Sequence, residues 1–208
     1  MTYSFLGETI DLGVMASHEG NNLQAVIVAC QVGTLNARVR VVISNNSLSR
    51  ALRRAEKYDI PAIHLSSVTH PNKNALDRAI MSTMIRHRVQ LVVLAGYMRK
   101  LGESMVKAYP NRIINSHPSL LPLHGGSGMY GDLVHEEVIS EGDRESGITI
   151  HVVDEEYDNG PVVAQVRVLV NVEDTIDSLR NRIQSREHDF WIDTLIKIQS
   201  GEIDLDKL

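Results

Sequence analysis

Short β-branched runs alternate with longer segments of helical period through the first half of the chain, and this alternation limits the possible folds more than any other feature. Residues 91–95 (LVVLA) are continuously apolar and end at Gly96, as expected of a strand buried on both faces. The predicted strands are the run from about 10 to 15 and residues 39–44, 61–65 and 91–95, and the predicted helices are residues 22–32, 48–58 and 72–88, the first of them capped by Asn21 or Asn22. Because strands and helices alternate, the sequence predicts an α/β fold whose mostly parallel sheet is covered by helices on both sides.

The second half of the chain has a different pattern. The predicted strands are residues 112–115, 148–153 and 162–170, and the predicted helices are residues 132–140 and 174–199, the second of them capped by Thr175. The turn sequence DNGP at 158–161 separates the last two strands, which indicates an antiparallel pair added to the parallel sheet. No repeat or linker interrupts the chain, so residues 1–208 are predicted to form a single domain.

Composition excludes several classes of protein. The chain has 21 basic and 26 acidic side chains, and its formal charge of −5 with no basic block argues against a dedicated binder of nucleic acid or anionic membranes. Cys30 is the only cysteine, which excludes an internal disulfide and a zinc site built from cysteines. No apolar run approaches the roughly 18 residues that span a bilayer, and the first residues lack the features of a signal peptide. We therefore expect a soluble, cytoplasmic protein.

Candidate ligand-binding residues follow the predicted strands, because open α/β sheets bind their ligands at the carboxyl ends of their strands. Residues 17–22 (SHEGNN) could present backbone N–H groups at a helix N-terminus to a phosphate. The single glycine, Gly20, fits an ordinary turn between a strand and a helix somewhat better than it fits a phosphate loop. The absence of a G-x-G-x-x-G fingerprint also disfavours a nicotinamide-dependent dehydrogenase.

Asn115 and His117 are two residues apart at the end of a short strand, so their side chains project to the same side of an extended chain. A side-chain amide donates well to a developing oxyanion, and histidine exchanges a proton near neutral pH. The acidic turn at 154–161 could supply a carboxylate that raises the pKa of a nearby histidine such as His117. A loop histidine with a turn asparagine fits the first pattern equally well, and an acidic turn is more often simply solvated.

The histidines form no recognisable metal-binding motif. His135, Glu136 and Glu137 lie together in a predicted helix, but the second histidine of an H-E-x-x-H motif is missing. We therefore expect no metal.

Three segments together resemble the folate-dependent formyltransferases. They are LVVLAGYMRKL (91–101), NSHPSLLP (115–122) and ESGITIHVVDEEYDNGPVVAQ (145–165), and the similarity extends from about residue 12 to residue 195. The resemblance implies a single-domain, Rossmann-like formyltransferase fold and a cis peptide between Leu121 and Pro122. It is strongest to the members of purine biosynthesis, and so implies formyl transfer from 10-formyltetrahydrofolate, as co-substrate, to the amine of 5-phosphoribosylglycinamide.

The same resemblance assigns residues to roles. The implied catalytic residues are Asn115, His117 and Asp158. The implied binding residues for the phosphoribosylglycinamide are Gly20, Asn21, Asn22, Gln184, Ser185, Arg186 and Glu187. The implied residues for the folate are Lys73, Met98, Arg99, Lys100, Leu101, Asn115, Asp154, Tyr157 and Asp158.

Departures from the family pattern keep other functions open. At the positions of His18, Asn21 and Lys73, family members usually have glycine, often serine, and an arginine, respectively. An N-formyltransferase that acts on another small amine, such as an amino sugar or a secondary metabolite, is therefore the alternative. A non-catalytic module that binds folate or a nucleotide is a further alternative, although the complete set of three catalytic residue types argues against it. The glycine-rich loop at 123–132 is expected to be mobile.

The length and charge of the chain bear on its partners. Its 208 residues leave no room for the extra domains of methionyl-tRNA formyltransferases or formyltetrahydrofolate hydrolases, and a charge of −5 suits a small acceptor better than tRNA. We expect small-molecule substrates, no nucleic acid, no membrane, and a monomer or homodimer.

Overall fold

A computed structural model of the chain describes Phe5 and residues 7–208. Its strands form one seven-stranded sheet in the order β3-β2-β1-β4-β5-β6-β7. The strands are β1 (Ile10–Met15), β2 (Ala37–Ser44), β3 (Ala62–His64), β4 (Leu91–Leu94), β5 (Ile113–His117), β6 (Glu145–Val152) and β7 (Val162–Leu169). The pairs among β1 to β5 are parallel, whereas β6 pairs antiparallel with both β5 and β7. The predicted α/β fold with an antiparallel C-terminal portion is therefore confirmed.

Six α-helices in the described residues cover the sheet. They are α1 (Asn21–Gln31), α2 (Arg50–Lys57), α3 (Lys73–Arg86), α4 (Glu103–Ala108), α5 (Asp132–Ser140) and α6 (Ile176–Ser200), and a short 3-10 helix follows at Leu205–Lys207. None of these helices is both long enough and apolar enough to cross a membrane.

Alternation along the central strand explains why both faces of the sheet are buried. In β4, Leu91 and Val93 pack into the core formed with α1, α2 and α6, while Val92 and Leu94 pack into the core formed with α3 and α4. Burial on both faces is what the continuous apolar run predicted. A smaller third core joins α5 and α6 to the antiparallel strands β6 and β7.

Several local predictions need correction. The cap of α1 is Gly20 in the left-handed conformation, not Asn21 or Asn22, and it makes no side-chain cap hydrogen bond. The short helix α4 was not predicted, and β6 begins three residues before the predicted Ile148. Thr175 caps α6 as predicted, and the peptide between Leu121 and Pro122 is cis as the resemblance implied.

Candidate active site

The topology brings the carboxyl ends of β1, β4 and β5 to one edge of the sheet. The chain moves outward from β1 through β2 to β3, and then returns to start β4 on the other side of β1. Such a reversal of strand order is where open α/β sheets bind ligands. The loops after β1 and β4 are joined at this point, because the Ser17 backbone N–H donates to the Gly96 carbonyl at 3.0 Å and the Met98 N–H donates to Ser17 Oγ at 2.8 Å.

Asn115 and His117 lie in the last residues of β5, opposite His151 and Thr149 of β6. Their spacing of two places both side chains on one face of the strand, as predicted. The His117 side chain is only 4% exposed, so its ring depends on protein groups rather than on water for its hydrogen bonds.

Asp158 lies between two histidines. Its Oδ2 is 3.4 Å from His117 Nδ1 and accepts a hydrogen bond of 3.0 Å from the Gly126 backbone N–H, while its Oδ1 is 3.5 Å from His151 Nε2. Asn115 Nδ2 is in turn 3.1 Å from His151 Nε2. The three side chains with predicted catalytic roles are therefore linked through His151 into one continuous polar cluster.

His151 was not singled out by the sequence. It is buried in β6, and its Nδ1 is 2.9 Å from the Val152 carbonyl oxygen. A carbonyl oxygen only accepts, so Nδ1 has a proton. His151 Nε2 accepts from the amide of Asn115 when the ring is neutral, and it donates to Asp158 when the ring is protonated. The one sequence signal for this residue is a histidine at an inward-facing position of an otherwise apolar strand (ITIHVV).

Burial and neighbouring charges shift the pKa values of His117 and Asp158. Desolvation lowers the pKa of His117 below its ordinary value, and the opposing charge of Asp158 only partly offsets this. Asp158 does act to raise the pKa of His117, as expected, but the loss of hydration on burial lowers the pKa by more. Burial alone would raise the pKa of Asp158, but the His151 hydrogen bond, the charge of His117 and the Gly126 N–H keep it below its ordinary value.

The predicted phosphate loop begins α1. Gly20 has a φ of 67°, and a Cβ at this position would lie 2.9 Å from Ala51, so the close approach of α2 requires glycine here. No acidic residue lies in the first turn of α1, which leaves its N-terminus favourable for an anion. The side-chain oxygen of Asn22 is buried without a hydrogen-bond partner, whereas the His18 side chain is exposed.

Arg54 of α2 holds this loop in place, and no specific signal in the sequence distinguishes it from the rest of a basic helix face. Its guanidinium donates to the Glu19 carbonyl at 2.8 Å, to Gln24 Oε1 at 3.0 Å and to Asn21 Oδ1 at 3.0 Å. The arrangement adds a positive charge beside the helix N-terminus.

Of the four predicted residues in α6, Glu187 is connected to the site. Ser116 Oγ, between Asn115 and His117 in the chain, donates to Glu187 Oε1 at 2.7 Å. Gln184, Ser185 and Arg186 are exposed on the same helix.

The structure brings together most of the segments predicted to bind folate. Lys100 Nζ lies 4.9 Å from the centre of the Tyr157 ring, which joins residues 98–101 to the turn at 154–158. Asp154 shapes that turn, because its side chain accepts from the Glu156 N–H at 2.8 Å. Met98, Arg99 and Lys100 are exposed, and Leu101 is buried.

Lys73 is the first residue of α3 and is exposed. Among the residues that the structure describes, no hydrogen bond, ion pair or ring contact joins it to the other residues predicted to bind folate. Its place at the folate site stays a prediction.

His124, Glu141 and Asp143 each place a potential ligand atom within 4.8 Å of the others, the one such trio found among the described residues. The sequence did not indicate it, because His124 lies in a loop far along the chain from the other two. His124 Nε2 is already paired with Asp143 Oδ2 at 2.6 Å. The expectation that the chain binds no metal stays a prediction.

Comparisons with known proteins identify the family of the chain. The profile of the formyl transferase family matches residues 12–195. Phosphoribosylglycinamide formyltransferase of Bacillus subtilis (strain 168) is 34% identical over 88% of this chain and 91% of its own length, and that of Escherichia coli (strain K12) is 35% identical over 86% and 82%. The crystal structure of glycinamide ribonucleotide transformylase 1 from Symbiobacterium toebii has a TM-score of 0.87 at 36% identity and covers 94% of this chain and 90% of that one. This chain therefore belongs to the formyl transferase family.

Proposed function

We propose that this chain transfers the formyl group of 10-formyltetrahydrofolate to the amine of 5-phosphoribosylglycinamide, a step of purine biosynthesis. The observation that supports this most directly is the cluster of Asn115, His117 and Asp158 at the carboxyl edge of the sheet. It occurs in a chain that is 34% identical to a phosphoribosylglycinamide formyltransferase over nearly that enzyme's whole length. Another small amine as acceptor is not favoured, since the relatives reported above act on phosphoribosylglycinamide.

In the proposed reaction the neutral amine attacks the formyl carbon and the formyl oxygen gains negative charge. Asn115 has two N–H groups on its amide, and only one of them faces His151. The other can donate to the developing oxyanion, an interaction that contributes about 3–4 kcal/mol in enzymes where it has been removed.

His117 accepts the proton of the attacking amine, and Asp158 stabilises the protonated ring. Burial lowers the pKa of His117, which favours a neutral ring at the start of the reaction. Negative charge that forms nearby raises the pKa of the ring, so His117 takes up the amine proton as the new bond forms. Asp158 stabilises the resulting imidazolium, and the proton then passes to the leaving folate nitrogen, directly or through a water molecule.

The remaining contacts would position the two substrates. The N-terminus of α1 at Gly20–Asn22, with Arg54 beside it, suits the phosphate. Glu187 would give up the hydrogen bond it accepts from Ser116 and accept hydrogen bonds from the ribose hydroxyls instead. The Tyr157 side chain, 46% exposed beside Lys100, offers an aromatic surface to a flat pterin ring.

The decisive experiment supplies 10-formyl-dideazafolate with a panel of amines and follows loss of the formyl group spectroscopically. We expect turnover with phosphoribosylglycinamide and little with its dephosphorylated form, because the phosphate would lose its site at α1. Turnover with unphosphorylated amines alone would contradict the proposal. Binding of the folate analogue with no turnover on any amine would favour a non-catalytic binding module.

Replacement of His151 by phenylalanine tests the bridging residue. We expect kcat to fall about tenfold or more, since Asn115 loses the partner of its amide and Asp158 loses the imidazole beside its Oδ1, and a buried polar group left without its partner costs about 1–3 kcal/mol. The measurement is steady-state kinetics on the folded variant. The control is His87→Phe, the same exchange at the end of α3, and equal kcat values for both variants would contradict a role for His151.

The chain's composition supports the remaining expectations about its setting. A charge of −5 and one cysteine fit an enzyme of the cytoplasm with small-molecule substrates and no nucleic-acid partner. We expect a monomer or a homodimer, and no metal requirement.

A further inference from the structure

The loop segment His124–Gly126, which we name the backbone clip, contacts both His117 and Asp158 through its main chain. The His124 carbonyl oxygen lies 2.7 Å from His117 Nε2, and the Gly126 N–H donates to Asp158 Oδ2 at 3.0 Å. A Cβ on Gly125 would lie 2.5 Å from the Leu121 side chain and 3.4 Å from that of Asp158, so the clip lies directly against the site.

The side chain of His124 anchors the clip to a different part of the fold. Its Nε2 is 2.6 Å from Asp143 Oδ2, and its Nδ1 is 3.3 Å from Glu137 Oε2. Glu137 belongs to α5, and Asp143 to the turn between α5 and β6. The ring is only 7% exposed, and partners on both nitrogens fix its position.

His124 also has a φ of 53°, which is uncommon for a residue other than glycine. An unfavourable backbone conformation of this kind costs about 1–3 kcal/mol and persists only where the surroundings enforce it. His124 has this conformation while its side chain is paired with Asp143 and Glu137.

The clip determines which nitrogen of His117 can change its protonation. A carbonyl oxygen only accepts hydrogen bonds, so the His124 carbonyl keeps a proton on His117 Nε2. The nitrogen that gains and loses a proton is then Nδ1, which faces Asp158. A ring in the other tautomer would direct its free electron pair at the carbonyl and lose this bond.

We propose that His124 is a positioning residue for formyl transfer: its side chain, anchored by Asp143 and Glu137, aims its own carbonyl at His117 Nε2 and so selects the tautomer in which Nδ1 exchanges the proton. The inference rests on the proposed function, because it assigns to Nδ1 the uptake of the amine proton. It adds to that function the side chains of His124, Asp143 and Glu137, which lie outside the cluster of Asn115, His117, His151 and Asp158.

The test combines nuclear magnetic resonance with kinetics on the full chain. Ring ¹⁵N and ¹H signals of labelled histidines are recorded at pH 7.5 for the wild type, His124→Asn and Asp143→Asn, and His117 is assigned by its absence in His117→Ala. Asparagine tolerates positive φ, so His124→Asn removes the anchor without adding backbone strain. The control is Glu145→Gln, which removes an ion pair with Arg167 at the start of β6, two residues beyond Asp143.

We expect a wild-type His117 with its proton on Nε2, and a mixture of tautomers in His124→Asn and Asp143→Asn. In both variants kcat should fall about tenfold with KM for both substrates within about threefold, since a misplaced proton acceptor affects the reaction more than binding. Glu145→Gln should match the wild type. Melting temperatures establish that each variant is folded.

Two results would overturn the proposal: a wild-type His117 protonated on Nδ1, or wild-type ring signals and kcat in both anchor variants. Failure of the proposed function is a separate outcome. If the tautomer changes as expected but the wild type formylates no phosphorylated amine, the clip is supported and the function is wrong.

Discussion

Asp158→Asn is expected to lower kcat at least about 100-fold, the usual size of the loss when a group that assists proton transfer is removed. The carboxylate faces His117 Nδ1 at 3.4 Å and His151 Nε2 at 3.5 Å, and asparagine has the same shape without the charge. The imidazolium that forms during amine attack then has no counter-charge in a site that is shielded from water. Stopped-flow or steady-state assays with 10-formyl-dideazafolate and phosphoribosylglycinamide measure the effect.

The backbone offers a closely matched control for this variant. Asp158 has a φ of 53° and Asp59, in an exposed turn after α2, has a φ of 55°. Asp59→Asn therefore repeats the same chemical change at a similar positive φ away from the site, and it should leave kcat unchanged. A purified, folded Asp158→Asn variant with near-normal kcat would show that the carboxylate has no part in proton transfer.

His117→Ala is expected to lower kcat by at least about 100-fold as well, because the proton acceptor for the amine is lost. The side chain is 4% exposed and packs within the cluster, so its removal leaves a cavity bounded by Asp158 and the His124 carbonyl. Imidazole added to the assay should enter that cavity and restore part of the activity. The rescue should strengthen as pH rises, because only the neutral form of added imidazole can accept the proton.

The matched control is His135→Ala, which removes a similarly buried imidazole from α5, one whose Nδ1 has no hydrogen-bond partner. Its activity should stay near that of the wild type and should not respond to imidazole. A His117→Ala variant that loses little activity would contradict the assignment. A variant that is inactive, correctly folded and insensitive to imidazole would indicate that His117 acts by shaping the site.

The geometry explains why the sequence indicated roles for Asn115 and His117 but not for His151. Asn115 and His117 are separated by one residue on a strand, so their common direction follows from the period of two in β-structure. His151 reaches them only because β6 pairs antiparallel with β5 and places His151 opposite Asn115. The register of that pair depends on how two segments about 30 residues apart pack in the sheet, so it cannot be read from the local pattern of either strand.

The protonation of His117 shows a similar limit. A neighbouring carboxylate was a sound reason to expect a raised pKa, and Asp158 does act in that direction. Burial reverses the net result, and burial depends on how completely β5, β6 and the clip surround the ring. Side-chain identity gives the sign of each contribution, and only the packed structure gives their balance.

Local sequence patterns determined the secondary structure wherever the chain's own periodicity was strong. The buried strand β4, the hairpin-like pair β6 and β7, and the Thr175 cap of α6 all follow from residue types within a few positions of each other. The short helix α4 was not predicted, because its six residues are too few to show a helical period. The left-handed Gly20 at the start of α1 was not predicted, because the residue that requires a glycine there, Ala51 in α2, lies far along the chain.

The sequence by itself determined the α/β class of the fold, and its motifs identified the residue types of the formyl transferase site. The tertiary structure decided how those residues cooperate: which nitrogen of His117 faces Asp158, that His151 links Asp158 to Asn115, and that His124 anchors the loop beside them. The physical reason is that identity and periodicity act over a few residues, whereas hydrogen-bond direction and desolvation depend on groups brought together from distant parts of the chain.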